Sequence, residues 1–171
     1  MTEHLWSPWR MQYIESATEE AEGDAGCVFC AIAAGEESDR VLARGDRAYV
    51  VLNKFPYNPG HLLVVPNRHE GDLEALTIEE NAELQSLLQR SIRALRAESD
   101  PHGFNVGMNL GRIAGAGIPD HLHWHVVPRW SGDTNYMPVI GDTRVLPELL
   151  ADTFGRLAPR FAPGSDQEED G

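Results

Sequence analysis

Three histidines separated by single apolar residues stand in the stretch His121-Leu122-His123-Trp124-His125. Imidazole titrates near neutrality, ligates metals and can attack phosphorus, so three within five residues point to a site. Alternation with period two predicts an extended strand over His121–Arg129. It puts His121, His123 and His125 on one face and Leu122, Trp124 and Val126 on the other. Successive imidazoles would then lie roughly 6–7 Å apart. The apolar face can enter a core, whereas a core strand gains nothing from three imidazoles that need polar partners. Two chemistries fit: a metal centre, or a phosphate site in which a neutral imidazole is the nucleophile.

A glycine-rich loop, Gly111-Arg112-Ile113-Ala114-Gly115-Ala116-Gly117, leads into the histidines. Glycines let backbone amides close around an anion. Loop and histidines together suit phosphoryl or nucleotidyl transfer, where positioning and charge stabilisation dominate. The chain has two cysteines, Cys27 and Cys30. A single CxxC pair reads as metal or redox. A redox pair of the thioredoxin kind expects a strand before it and a long helix after it. Here an acidic, glycine-containing segment precedes the pair, which favours metal.

The elements that must position these groups are short. Val41–Arg44 and Ala48–Asn53 read as strands joined at Gly45-Asp46. His61–Pro66 is apolar on both faces and reads as a central strand. Residues 77–98 are a helix, opened by a Thr77/Glu80 capping box, with Ile78, Leu84, Leu87, Leu88, Ile92 and Leu95 as its apolar stripe. Phe104–Leu110 alternates again, with Asn105, Gly107 and Asn109 on one face. A further strand over Asn135–Ile140 and a closing helix over Val145–Leu157 complete the body. The expected fold is α+β, an antiparallel sheet of about five strands with helices packed on one side. Residues 1–25 form an aromatic segment (Trp6, Trp9, Tyr13) and an acidic loop, 26–157 the domain, and 158–171 an acidic tail expected to be disordered.

With 171 residues, 42% hydrophobic and 24% charged, the chain is long enough for one domain with a real core. Its formal charge of −13 is concentrated in residues 15–25 and 164–171, leaving −4 elsewhere. No basic stripe is present, which argues against nucleic acid as the main ligand. No apolar run spans a bilayer, and the first residues lack the pattern of a signal peptide, so a cytoplasmic protein without membrane contact is expected.

From Cys27 to Arg129 the sequence resembles the histidine triad (HIT) nucleotide hydrolases and transferases, whose signature is His-x-His-x-His followed by apolar residues. The resemblance implies a HIT-like fold and a homodimer. It makes His123 the nucleophile toward the α-phosphate and His125 a second catalytic and phosphate-binding residue. Asn53, eight residues before His61, falls where the family holds the ribose. Asn109 stands ahead of the glycine loop, of which Gly115 and Gly117 would face the nucleotide. Phe29, Ile32 and Leu52 match the family's base pocket. Some members carry a structural zinc, which here implies Cys27, Cys30, His69 and His121 as ligands. His61 would support the histidine strand through hydrogen bonds.

The sequence departs from the family before the triad, where Gly117-Ile118-Pro119-Asp120 replaces the usual Gln and Ser or Thr. Trp6–Arg10 and Trp130–Ile140 resemble the branch described as diadenosine tetraphosphate phosphorylases, with Arg10, Lys54, Arg112 and Arg129 as candidate cations for a polyphosphate tail. The expected activity is cleavage of a nucleoside polyphosphate through a His–nucleotide intermediate, most simply phosphorolysis of diadenosine tetraphosphate. Hydrolysis, phosphoramidase activity and a nucleotide-binding module with little turnover are the alternatives. A mononuclear metal enzyme using the three histidines together would leave the cysteines and His69 unexplained.

Overall fold

The computed structural model describes residues 26–36, 39–133, 148–162 and 164. The N-terminal aromatic segment, the acidic loop and the strand expected over Asn135–Ile140 lie outside the described residues. Eight elements follow in order: α1 Val28–Ala33, β1 Val41–Arg44, β2 Ala48–Leu52, β3 Leu62–Pro66, α2 Ile78–Ser99, β4 Gly103–Gly107, β5 Trp124–Arg129 and α3 Leu150–Leu157. The five strands form one antiparallel sheet in the order β1-β2-β3-β5-β4. Every residue of β2 and β3 is buried, as expected of apolar runs covered on both faces.

The two faces carry separate cores. Ala48, Val50, Leu52, Leu62, Val64, Leu122 and Val126 meet Leu84, Leu88 and Leu95 of α2 on one side. Tyr49, Val51, Leu63 and Val65 meet Cys27, Phe29 and Ile32 on the other. The two longer helices thus share a face, while the six-residue α1 covers part of the opposite one. Ile78, read as part of the α2 stripe, is 84% exposed, because it sits at the first helical position, ahead of the turns that reach the sheet. The segment after α3 also differs from expectation. Ala158–Phe161 forms a 3-10 turn that buries Phe161, and Arg90 donates to the Phe161 and Ala162 carbonyls.

At the start of α2 the capping box forms as the sequence predicts: Thr77 Oγ1 accepts from the Glu80 amide, and Glu80 Oε2 from the Thr77 amide. Glu80 also accepts from Arg68 Nε at 2.9 Å and Nη2 at 3.0 Å. The Arg68 guanidinium, followed by the Thr77 amide, draws the Glu80 carboxyl down to about 2. Since the folded value lies below the unfolded one, this contribution is complete above the ordinary 4.5 and is lost as pH falls toward 2. Glu80→Gln is therefore expected to lower the urea midpoint at neutral pH and to weaken its fall on acidification, read by urea titrations at successive pH values.

Candidate active site and metal centre

The first two triad histidines precede the strand. β5 begins at Trp124, three residues later than the alternation predicts, because the Leu122 amide donates to the Glu70 carbonyl (2.7 Å) instead of to a neighbouring strand. This contact draws the 69–71 turn onto residues 119–122. A Cβ at Gly71 would stand 3.0 Å from the Pro119 carbonyl oxygen and 3.1 Å from Asp120 Cα, so the close approach of the two backbones favours glycine. The alternation of faces is kept. Leu122, Trp124 and Val126 pack on the α2 side, whereas His121 and His123 lie against Phe29, and His123 against His125.

Cys27, Cys30, His69 and His121 converge, with one ligand atom from each and all four atoms within 4.8 Å of one another. Cys27 Sγ lies 3.3 Å from His121 Nδ1, and Cys30 Sγ lies 3.3 Å from His69 Nδ1. His121 Nε2 is 2.9 Å from the Pro66 carbonyl, which can only accept. The proton therefore sits on Nε2, and Nδ1 turns its lone pair toward the sulfurs, the second-shell arrangement usual for a ligating histidine. Two thiols and two imidazoles are a donor set that fits a closed, tetrahedral metal site. The cysteines are held by α1, which Tyr49 Oη pins through the Phe29 carbonyl (3.0 Å) and Arg44 Nη2 through the Ile32 carbonyl (2.8 Å). Burial, with the neighbouring Cys27 and Cys30 adding to it, holds the Tyr49 hydroxyl far above its usual range, so it stays a donor.

His123 and His125 have different environments. His123 Nδ1 lies 2.8 Å from the His121 carbonyl and must carry the proton, which leaves the lone pair on Nε2. Burial lowers the His123 pKa, against the smaller opposing pull of that carbonyl, so the ring is neutral at neutral pH. At His125 the tautomer is set from further away. The Tyr57 amide donates to His61 Nδ1 (3.0 Å), so His61 carries its proton on Nε2 and donates to His125 Nδ1 (2.9 Å). A neutral His125 then has its own proton on Nε2. One imidazole presents a lone pair and the next presents a proton. The Tyr57 ring stacks on His125 with centroids 6.0 Å apart.

The remaining expected residues fare unevenly. Phe29 and Ile32 share one cluster, and Phe29 lies 5.0 Å from the His123 ring. Leu52 does not join them: β2 alternates, and Leu52 points into the α2-side core. Asn53 sits beside His61, its Oδ1 accepting from the Phe55 amide and its Nδ2 3.3 Å from His61 Nδ1. Asn109 donates to the Gly115 carbonyl (3.1 Å) and braces the glycine loop, in which Gly111 and Gly115 take positive φ. Gly117 is half-buried in the same loop. Arg129 is a brace: its Nε and Nη2 grip Asp133 at 2.6 and 2.9 Å, and Nη1 donates to Asn105. Asn58 donates to the same Asp133 and to the Pro128 carbonyl, tying the 53–61 loop to the end of β5. Lys54 and Arg112 are exposed, and Arg10 lies outside the described residues.

A model of the HIT domain family matches residues 34–132, which include all three histidines. The chain belongs to the HIT family. Among curated relatives, this HIT chain is 46% identical to AP-4-A phosphorylase of Mycobacterium tuberculosis over 94% of its own length and 85% of the relative's. It is 32% identical to adenosine 5'-monophosphoramidase of Schizosaccharomyces pombe over 60% of its length and 74% of the relative's. Among solved structures, a Zn-bound histidine triad family protein from Mycobacterium smegmatis superimposes with a TM-score of 0.66 at 28% identity, covering 81% of this chain and 95% of that one.

Four residues of this HIT site escape a sequence reading that starts from chemical side chains. Tyr57 acts through its amide, which any residue but proline carries. Leu63 and Gly107 flank His125 from the neighbouring strands, which only the register reveals. Asp133 is one acid among many. Of these, Gly107 alone left a signal, as a glycine inside an alternating strand.

Proposed function

We propose that this HIT protein is a nucleotidyl transferase that cleaves diadenosine tetraphosphate at an α-phosphate and passes the bound nucleotide to inorganic phosphate. The observation that carries the proposal is the tautomer pair: His123 with its lone pair on Nε2 and His125 with its proton on Nε2. His123 Nε2 attacks the α-phosphorus, and the bond from that phosphorus to the bridging oxygen breaks. His125 gives its Nε2 proton to the departing oxygen, releasing ATP. Phosphate then attacks the AMP–imidazole adduct, the P–N bond breaks, and ADP leaves. The 46% identity to a protein named AP-4-A phosphorylase supports this choice of substrate and acceptor.

Cys27, Cys30, His69 and His121 would hold one zinc per chain, which supplies no reacting group and fixes the histidine segment. His121, held as a ligand, would keep its carbonyl where His123 needs it. The exposed edge of the sheet at β4, with Val106 43% exposed, supports pairing with a second copy as a homodimer. The proposed location is the cytoplasm, where a CxxC pair is kept reduced and able to ligate metal. Among the described residues no helix is long and apolar enough to cross a membrane.

The acceptor is tested by running the reaction with and without phosphate. ADP and ATP in equal amounts, dependent on phosphate, are the expected products. AMP and ATP at the same rate either way, without ADP, would make the protein a hydrolase. Phosphoramidase activity is a second reading, favoured by the S. pombe relative of that name, and adenosine 5'-phosphoramidate is the substrate that tests it.

A further inference from the structure

His125 has unlike neighbours on its two sides. In the ladder it stands opposite Leu63 of β3 and opposite Gly107 of β4. Directly opposed residues of an antiparallel pair send their side chains to the same face. Leu63 fills its side, only 6% exposed within the cluster of Phe29 and Cys27. Gly107 fills nothing: apart from its own backbone and its two chain neighbours, no heavy atom of the described residues lies within 4 Å of where its Cβ would be.

Neither backbone nor packing by the described residues accounts for this glycine. Gly107 is absent from the positive-φ glycines and lies in a regular strand. A strand glycine weakens the sheet and commonly marks a place where a ligand comes close. Gly71 shows the contrast, since there a Cβ would meet backbone at 3.0 Å.

Which part of the substrate takes the space follows from the strand order. Phe29 and Asn53, the candidates for the nucleoside, lie over β2 and β3, on the Leu63 side of His125. Gly107 is on the far side. A line from the nucleoside through the phosphorus attacked by His123 and past the proton donor His125 continues over β4. We propose that the open space beside His125 above Gly107 seats the phosphates of the leaving group, making Gly107 a specificity-determining position for substrates with a polyphosphate tail, an inference that rests on the proposed activity.

The test uses the full chain with Gly107→Ala and Gly107→Val, and titrates AMP and ATP, which differ only in the phosphates beyond the first. Gly107→Val should weaken ATP binding by about tenfold or more and AMP binding by less than about threefold, with Ala between wild type and Val. The thermal midpoint should hold or rise, because alanine and valine both suit a strand better than glycine. In turnover, Gly107→Val should lower kcat/KM for diadenosine tetraphosphate about thirtyfold and leave that for adenosine 5'-phosphoramidate, with its small leaving group, within about threefold. Equal losses for AMP and ATP, or no loss for either, would overturn the assignment. A wild-type protein that turns over neither substrate while Gly107→Val selectively loses ATP would sink the proposed activity and leave the assignment of the space standing.

Discussion

His123→Ala is expected to lower turnover of diadenosine tetraphosphate by at least about 10⁴-fold, since a removed nucleophile takes the whole covalent route with it. Binding of AMP should persist, because Phe29 and Asn53, the candidate contacts of the nucleoside, stay in place. His123→Gly leaves more room, and added imidazole should restore part of the rate. Steady-state assays on purified variants, with calorimetric titration of AMP, read both effects. Residual turnover within tenfold of wild type would remove His123 from the role of nucleophile. The expectation is large because the two flanking histidines cannot substitute. His121 has one nitrogen on the Pro66 carbonyl and the other facing the cysteines. His125 has its Nδ1 on His61.

The second large effect concerns the four-ligand cluster. Cys27→Ser is expected to release the metal and to lower the thermal midpoint by about 10 °C or more, since metal binding is linked to folding. Cys27 is 4% exposed, so water does not replace the lost thiolate. The mutation should also reduce turnover, though less than His123→Ala does. The His121 carbonyl that holds the His123 proton is fixed partly by the ligand side chain of the same residue. Metal analysis of protein purified without chelator reads the first effect and thermal unfolding the second. Protein that holds no metal, or whose metal is unchanged by Cys27→Ser, would contradict the expectation. Metal lost with His123→Ala instead would point to a centre built from the three histidines.

Much of this was legible in the sequence because the decisive signals are local. The Thr77/Glu80 pair, the Gly45-Asp46 turn and the apolar runs of β2 and β3 each specify an element within a few residues. The histidine alternation gave the two faces correctly, although its first three residues are not strand. The contact that decides this runs from Leu122 to Glu70, fifty-two positions away, and no periodicity encodes it. Leu52 was misjudged for a related reason. Its apolar character suits either face, and only its parity with Ala48 and Val50 sends it to the α2 side. Arg129 stood among four candidate cations because its charge is visible in sequence, whereas its partner Asp133 becomes meaningful only when the end of β5 turns back. The tautomer of His125 depends on a backbone amide at Tyr57, which leaves no mark on residue type.

The covalent adduct is the most direct test of the central claim. Protein mixed with labelled diadenosine tetraphosphate in the absence of phosphate, quenched in alkali and digested, should yield one AMP-bearing peptide, with the nucleotide on His123. Its amount should fall when phosphate is added, as ADP appears. A catalytically active preparation that yields no adduct, or that carries the nucleotide on any residue other than His123, would contradict the account.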